Sequence, residues 1–262
     1  MKLYPFRFDT AEDYIELTGV ADLHYGSSVF LPRKAEKHRQ YILDHNSWVI
    51  DLGDSTENAT HSAPGASIFQ STCPPREQRS WVREYYRPIR DKVLAVVASN
   101  HSDRSERDVD WTPDEDLVSF LDPCVHIRWE GVLAITVGDA ARGAIRGQQY
   151  LIFIRHMVSN SSKVPQILGA MIAKSRTVQG CDVYWAGHCH QFISEPIPCE
   201  LPDPRHGRMK RLDQWFLMSD AFIEHDESYA EQRNFSQPAE GQISLKLFKS
   251  ERKIEVVRLV YR

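Results

Sequence analysis

Five strand-length apolar runs in this sequence stop on the same kinds of side chain, and that recurrence limits the folds open to it. "VADLH" ends in Asp22 and His24, "VIDLGD" in Asp54, "VVASNH" in Asn100 and His101, "LIFIRH" in His156, and "YWAGHCH" in His188 and His190. Runs rich in β-branched and aromatic residues read as strands. Here they alternate with longer amphipathic stretches, which points to an α/β or layered α+β chain rather than an all-β one. At the carboxyl edge of such sheets, loops converge while the strands hold them rigid, so polar groups delivered there can assemble into a site.

The rest of the chain supplies the covering elements. Pro32 opens a helix through "RKAEKHRQYILDH"; "PREQRSWVREYYRPIRDK" and "VPQILGAMIAKSRTV" read as two more. "GQISLKLF" and "KIEVVRLVY", joined by "KSER", read as a hairpin. The glycines of "VGDAARGAIRGQQ" fit neither common nucleotide signature and read as a turn-rich connection. "STENATHSAPGAS" and "PCELPDPRHGRMKR" are the segments expected to be least ordered. No linker or repeat interrupts the chain, so residues 1–262 are expected to form one domain.

A net charge of −4 argues against a strongly basic grip on nucleic acid. Arg205, Arg208, Lys210 and Arg211 form the best local basic cluster, either a solvated loop or a hold on a polynucleotide backbone. Five cysteines without regular spacing suggest no disulfide framework. The start, "MKLYPFRFDTAEDY", lacks the apolar core of a signal peptide, and no apolar run reaches membrane-spanning length. A soluble, cytoplasmic protein is expected, with monomer and homodimer both open.

Imidazole and carboxylate groups together suit zinc, manganese or iron, and the amide oxygen of Asn100 suits the harder of these. In an extended segment Asp22 and His24 share a side, so one ion can take both. By the same rule, aiming His188 and His190 at ions turns Cys189 away; Cys73, Cys124, Cys181 and Cys199 read as ordinary buried or loop residues. The competing readings are plain ones. Each histidine alone can be a hydrogen-bonded surface or structural ring, Asp22 and Asp54 can be helix N-caps, and Arg104 and Arg107 can pair with Glu106 and Asp108 rather than reach a phosphate.

Taken in order, Asp-x-His, Gly-Asp, Asn-His, a lone His and Gly-His-x-His, from about Ala21 to Gln191, resemble the calcineurin-like metallophosphoesterases. "AFIEHDESYAEQRNF" followed by "PAEGQISLKLF" is similar to the tail of prokaryotic and phage members. The resemblance implies a four-layer α/β/β/α sandwich, two mixed β-sheets flanked by helices. It implies two divalent ions bridged by Asp54, with Asp22, His24 and His190 on one and Asn100, His156 and His188 on the other. Manganese is the first expectation, with iron, zinc, nickel and magnesium as the others. A hydroxide shared by the ions would attack the phosphorus, and His101 would protonate the leaving oxygen or stabilise its developing charge. The implied activity is hydrolysis of phosphate esters, with phosphodiesters of nucleic acid or nucleotides preferred. The alternatives are a phosphomonoesterase acting on nucleotides, phosphoproteins or small esters, and a non-catalytic scaffold of the same fold.

Two departures from that pattern matter. Glycine usually precedes the Asn-His pair and an acid follows it; here Ser99 and Ser102 stand there, so Asp103 or a more distant carboxylate has to orient His101. After His156 a glycine-rich turn is replaced by "MVSNSSK", which shifts phosphate contacts to Ser159, Ser161, Ser162 or Lys163. Arg104 and Lys163 are the expected substrate contacts.

Overall fold

The structure is a computed structural model, and it describes residues 1–60, 71–141, 144–204, 207–225 and 239–261. Its centre is two six-stranded sheets packed face to face. One runs in the order β12-β11-β2-β3-β4-β5, using Ile254–Leu259, Gln242–Phe248, Tyr14–Val20, Trp48–Asp51, Val93–Val97 and Val125–Ile127. The other runs β1-β6-β7-β8-β10-β9, using Lys2–Asp9, Glu130–Ala141, Ala144–Arg155, Val183–Ala186, Arg208–Met218 and Ile193–Asp203.

Alternation along each strand builds the layers. Ile50, Ala95 and Val97 face Leu133, Ile135, Ile152, Ile154, Trp185 and Leu217 in the core between the sheets. Their neighbours Val49, Val93 and Val96 point the other way, against Ala35, Ile42, Val82, Tyr85, Leu117 and Leu121. These come from α1 (Pro32–Asp44), α2 (Pro75–Tyr86) and α4 (Pro113–Leu121). On the far side, Phe153, Tyr184, Phe216 and Met218 meet Ile167 and Met171 of α5 (Val164–Thr177). The result is the expected α/β/β/α sandwich, and strands covered on both faces explain runs apolar at consecutive positions.

Local chemistry sets the helix starts. Proline stands in the first turn of α1, α2, α4 and α5, where its missing N–H costs nothing. Thr112 caps α4 by accepting from Glu115 N, and Asp114, Glu115 and Asp116 face the positive end of its dipole. Ser99 caps α3 (Asn100–Val109) by accepting from Ser102 N. The serines that depart from the family pattern therefore start the helix that carries Asn100 and His101.

The segment read as least ordered, "PCELPDPRHGRMKR", lies mostly in an antiparallel hairpin of β9 and β10. Pro196, Pro198 and Pro202 all lie in β9, an edge strand. They share one parity, so their missing N–H groups all face away from β10 and leave the ladder intact. Arg205 and the stretch from 226 to 238, including most of "AFIEHDESYAEQRNF", lie outside the described residues. So do residues 61–70 of the loop after Asp54. The C-terminal hairpin forms as read, with Gln242 paired to Leu259.

Candidate metal centre

β2, β3 and β4 are mutually parallel in one sheet and β7 and β8 in the other, so five carboxyl ends deliver the candidate side chains to one edge of the sandwich. The chain then turns at once. Asp22, His24, Asp54, His188 and His190 have φ of 54°, 49°, 54°, 75° and 50°, all left-handed. The extended geometry inferred for Asp22-x-His24 and His188-x-His190 is therefore not what the molecule uses, because the strands end at Val20 and Ala186. Neither aspartate caps a helix: α1 starts only at Pro32, and no helix is described just after Asp54.

Hydrogen bonds tie these turns to one another. Asp22 N donates to Gly53 O (3.0 Å), His24 N to Asp54 O (2.9 Å) and Gly187 N to His156 O (3.1 Å). The glycines permit the approach. A Cβ on Gly53 would stand 2.7 Å from His156 Nδ1, and one on Gly187 2.7 Å from Asp22 Oδ2.

Two of the three sets of ligand atoms that result are Asp22/His24/His190 and Asp54/His156/His188, each within 4.8 Å of one another. In the first, His24 Nε2 is 3.0 Å from His190 Nε2, and His190 Nε2 is 3.5 Å from Asp22 Oδ1. In the second, His156 Nε2 is 3.1 Å from Asp54 Oδ2 and 3.0 Å from Asn100 Oδ1. Asp54 Oδ2 also lies 3.7 Å from His24 Nε2, so this carboxylate stands between the sets.

The donor set fits divalent cations. His156 Nδ1, 2.7 Å from Leu52 O, carries the proton in the neutral ring, which aims the Nε2 lone pair at two oxygen acceptors. Only a cation relieves that arrangement, whether a proton or a metal ion. Burial opposes a charged ring at both His156 and His24. The Asp54 carboxylate nevertheless carries His156 up to about 10, and the Glu57 hydrogen bond with Asp54 carries His24 up to about 9. Asp54 is pulled well below the usual range by His101 and His156, despite burial. Its Oδ1 is buried with no hydrogen-bond partner among the described residues, a vacant acceptor that an ion would fill. Burial and the neighbouring His156 push His188 down to about 4, which leaves it a neutral ligand.

His101 sits on the first turn of α3 with Nε2 3.7 Å from Asp54 Oδ2. The group orienting it is neither Asp103 nor another carboxylate: its Nδ1 lies 2.6 Å from the main-chain oxygen of Glu57. Burial lowers its pKa. Arg104 Nη1 lies 3.4 Å from His101 Nδ1. Lys163 stands exposed before α5, and no contact among the described residues ties it to the cluster. Arg107 binds Asp103 O, while Glu106 pairs with Arg128. Cys189 turns its thiol to Ser159 O (3.2 Å), outside both sets.

Sequence reasoning missed Glu57 and Asn58. Glu57 Oε2 is 3.0 Å from His24 Nδ1, and Asn58 Nδ2 donates to His101 O (2.8 Å). The one available signal was their place just after Asp54, in a segment read as loose. Asp114 was missed too: it reaches Ser99 N (3.2 Å) from another helix.

No family model and no curated protein matches the chain. Among solved structures, the phosphoesterase YfcE from E. coli is similar at 15% identity over 93% of this chain and 98% of its own, with a TM-score of 0.42. A metallophosphoesterase from Sphaerobacter thermophilus is similar at 11% identity over 95% and 89%, with a TM-score of 0.36. Vacuolar protein sorting 29 from Cryptosporidium parvum is similar at 13% identity over 95% and 98%, with a TM-score of 0.41.

Proposed function

We propose that this protein is a dinuclear metal-dependent phosphoesterase acting on phosphodiesters of nucleic acid or nucleotides. The observation that carries the reading is the pair of ligand sets meeting at Asp54, with a further imidazole, His101, beside them. Asp22, His24 and His190 would hold one divalent ion, and Asn100, His156 and His188 the other, with Asp54 shared. Such ions supply a water that is nucleophilic at neutral pH and neutralise phosphoryl oxygens.

The protein's own groups do the rest. Glu57 O accepts the Nδ1 proton of His101, which directs Nε2 into the site. Protonated at Nε2, the ring donates to the leaving oxygen. For the diester preference, Arg104 is the candidate phosphate contact, a single guanidinium whose Nη1 lies 3.4 Å from His101 Nδ1. The sequence resemblance to prokaryotic and phage members supports it as well. Ligands drawn from both sheets support reading 1–262 as one domain. All five cysteines are free thiols, which fits a reducing cytoplasm. Among the described residues no helix is long and apolar enough to cross a membrane.

Asp54→Ala tests the centre. It should lower bound metal and abolish metal-dependent hydrolysis of a bis-aryl phosphate; unchanged metal content and activity would sink the assignment. Faster turnover of a mono-aryl ester by the wild type would reassign the enzyme as a monoesterase.

A further inference from the structure

Glu57 touches both imidazoles on which the chemistry depends, and it does so with different groups. Its carboxylate Oε2 lies 3.0 Å from His24 Nδ1, and its main-chain oxygen lies 2.6 Å from His101 Nδ1. The two rings meet edge to face with centroids 4.8 Å apart. Each contact holds the ring proton on Nδ1, which leaves Nε2 of both histidines directed at the cluster. Glu57 is itself held from both sides. Glu57 N donates to Tyr25 O (2.9 Å), and the next residue, Asn58, donates from its main chain to Gln78 Oε1 (2.9 Å) and from Nδ2 to His101 O (2.8 Å). Asn58 is 1% exposed and Gln78 is fully buried, so this frame has little freedom to shift.

His24, Glu57 and His101 also lie close enough together to suggest a third cation position. The ring chemistry argues against it. His24 Nε2 already faces Asp22 and His190, and an ion at Nδ1 as well would require an imidazolate. A carboxylate accepting from Nδ1 of a ligand histidine instead fixes the ring and strengthens its donor nitrogen.

We propose that Glu57 is a positioning residue with two outputs: its carboxylate sets the orientation and donor strength of His24, and its carbonyl aligns the acid His101. The proposal rests on the two-ion reading above. One residue thereby serves both the ion at Asp22, His24 and His190 and the aim of the proton donor, and the second is the task expected of a carboxylate after the Asn-His pair, where Ser102 stands.

The test titrates metal-free wild type, Glu57→Gln and Glu57→Ala with manganese by calorimetry, and follows the His24 and His101 Nδ1–H signals by NMR. Glu57→Gln keeps an acceptor for His24 and loses the charge, while Glu57→Ala loses both. One ion's affinity should fall in that order, by about 10- to 100-fold in Glu57→Ala, while the other holds. The His24 Nδ1–H signal should vanish in Glu57→Ala, and that of His101, bonded to the main chain, should persist in every variant. Equal weakening of both ions, unchanged affinity in Glu57→Ala, or loss of the His101 signal would overturn the proposal. A wild-type titration without two ions would refute the two-ion reading, while the NMR signals would still decide the role of Glu57.

Discussion

Three glycines separate backbone strain from steric intrusion at the metal centre. Gly53 has φ of +99°, and a Cβ there would lie 2.7 Å from His156 Nδ1, 3.0 Å from its Cγ and 3.1 Å from Ser99 Cβ. Non-bonded heavy atoms are comfortable at about 3.5 Å or more, so the ring has to move by most of an ångström. That movement strains the 2.7 Å contact between His156 Nδ1 and Leu52 O, worth about 0.5–1.5 kcal/mol. The left-handed backbone adds a cost of about 1–2 kcal/mol for alanine. Gly53→Ala should therefore lose about 1.5–3.5 kcal/mol. Gly180 has φ of +85° with nothing within 4 Å of a new Cβ, so Gly180→Ala carries strain alone, about 1–2 kcal/mol. Gly169, inside α5 with nothing within 4 Å, should gain about 0.5–1 kcal/mol as alanine. Urea unfolding of the metal-free proteins should rank them Gly169→Ala, wild type, Gly180→Ala, Gly53→Ala, and thermal unfolding should separate them by about 2–4 °C in Tm per kcal/mol. Only Gly53→Ala should also weaken manganese binding. Gly53→Ala as stable as Gly180→Ala, or with unchanged ion affinity, would refute the claim that this glycine makes room for His156.

Two buried groups give pH dependences of opposite sign. Burial, reinforced by Lys34, holds His38 down to about 3, so from the ordinary value of 6.5 down to that point the unfolded chain takes up a proton the folded one refuses. Stability from this group is whole above pH 6.5 and falls on acidification by up to about 1.4 kcal/mol per unit; the stability gap between wild type and His38→Gln should shift with pH there, and a constant gap would refute it. Burial raises Asp114 to about 7 from 3.8, so the folded state keeps a proton the unfolded chain has lost, and stability falls as pH rises through that window. Asp114→Asn should remove that fall in metal-free protein, and a variant with the wild-type slope would contradict it. At His188, φ of 75° makes the metal-free glycine variant more stable than the alanine variant by about 1 kcal/mol, although both lose ion affinity; the reverse order in urea would show that the backbone relaxes. Cys189→Ala should keep full metal content, since its thiol bonds to Ser159 O, and a tenfold loss of affinity would make the thiol a ligand.

The layers were legible because burial on both faces leaves a direct mark: Val49 and Ile50, or Phe153 and Ile154, face opposite layers, and both have to be apolar. The gathering of candidate ligands was legible for a related reason, since polar groups ending such strands have one shared edge to occupy. β9 was not legible, because its prolines mimic a loop until their common parity is matched to an edge position. Glu57 and Asn58 carry no local pattern; their roles follow from a loop running beside the segment that holds His24, through contacts distant in sequence such as Tyr25 N to Ser55 O. Asp114 reaches Ser99 from another helix, and no spacing rule anticipates that contact.

The left-handed backbone explains why these residue types, and not merely these ligand atoms, occupy the strand ends. Among the described residues eight non-glycines have positive φ: five are Asp22, His24, Asp54, His188 and His190, and the others are Asn46, Asn58 and Asp110. Aspartate, asparagine and histidine are the side chains that tolerate this region best, and they are also ligands for divalent ions. Each such residue still costs about 1–2 kcal/mol, so the five together forfeit an amount comparable with a whole domain's net stability of about 5–15 kcal/mol. What offsets that cost is the sandwich behind them: Leu17, Ile50, Ala95, Ile154 and Trp185, in or just before the ends of the five strands, are fully buried. The sharp turns serve chemistry as well. By leaving the extended conformation immediately after β2 and β8, the chain brings His24 Nε2 and His190 Nε2 to 3.0 Å across two sheets. Strain at the edge and rigidity in the core are thus two sides of one arrangement, and an ion joining the converging nitrogens would return part of the free energy that the turns consume.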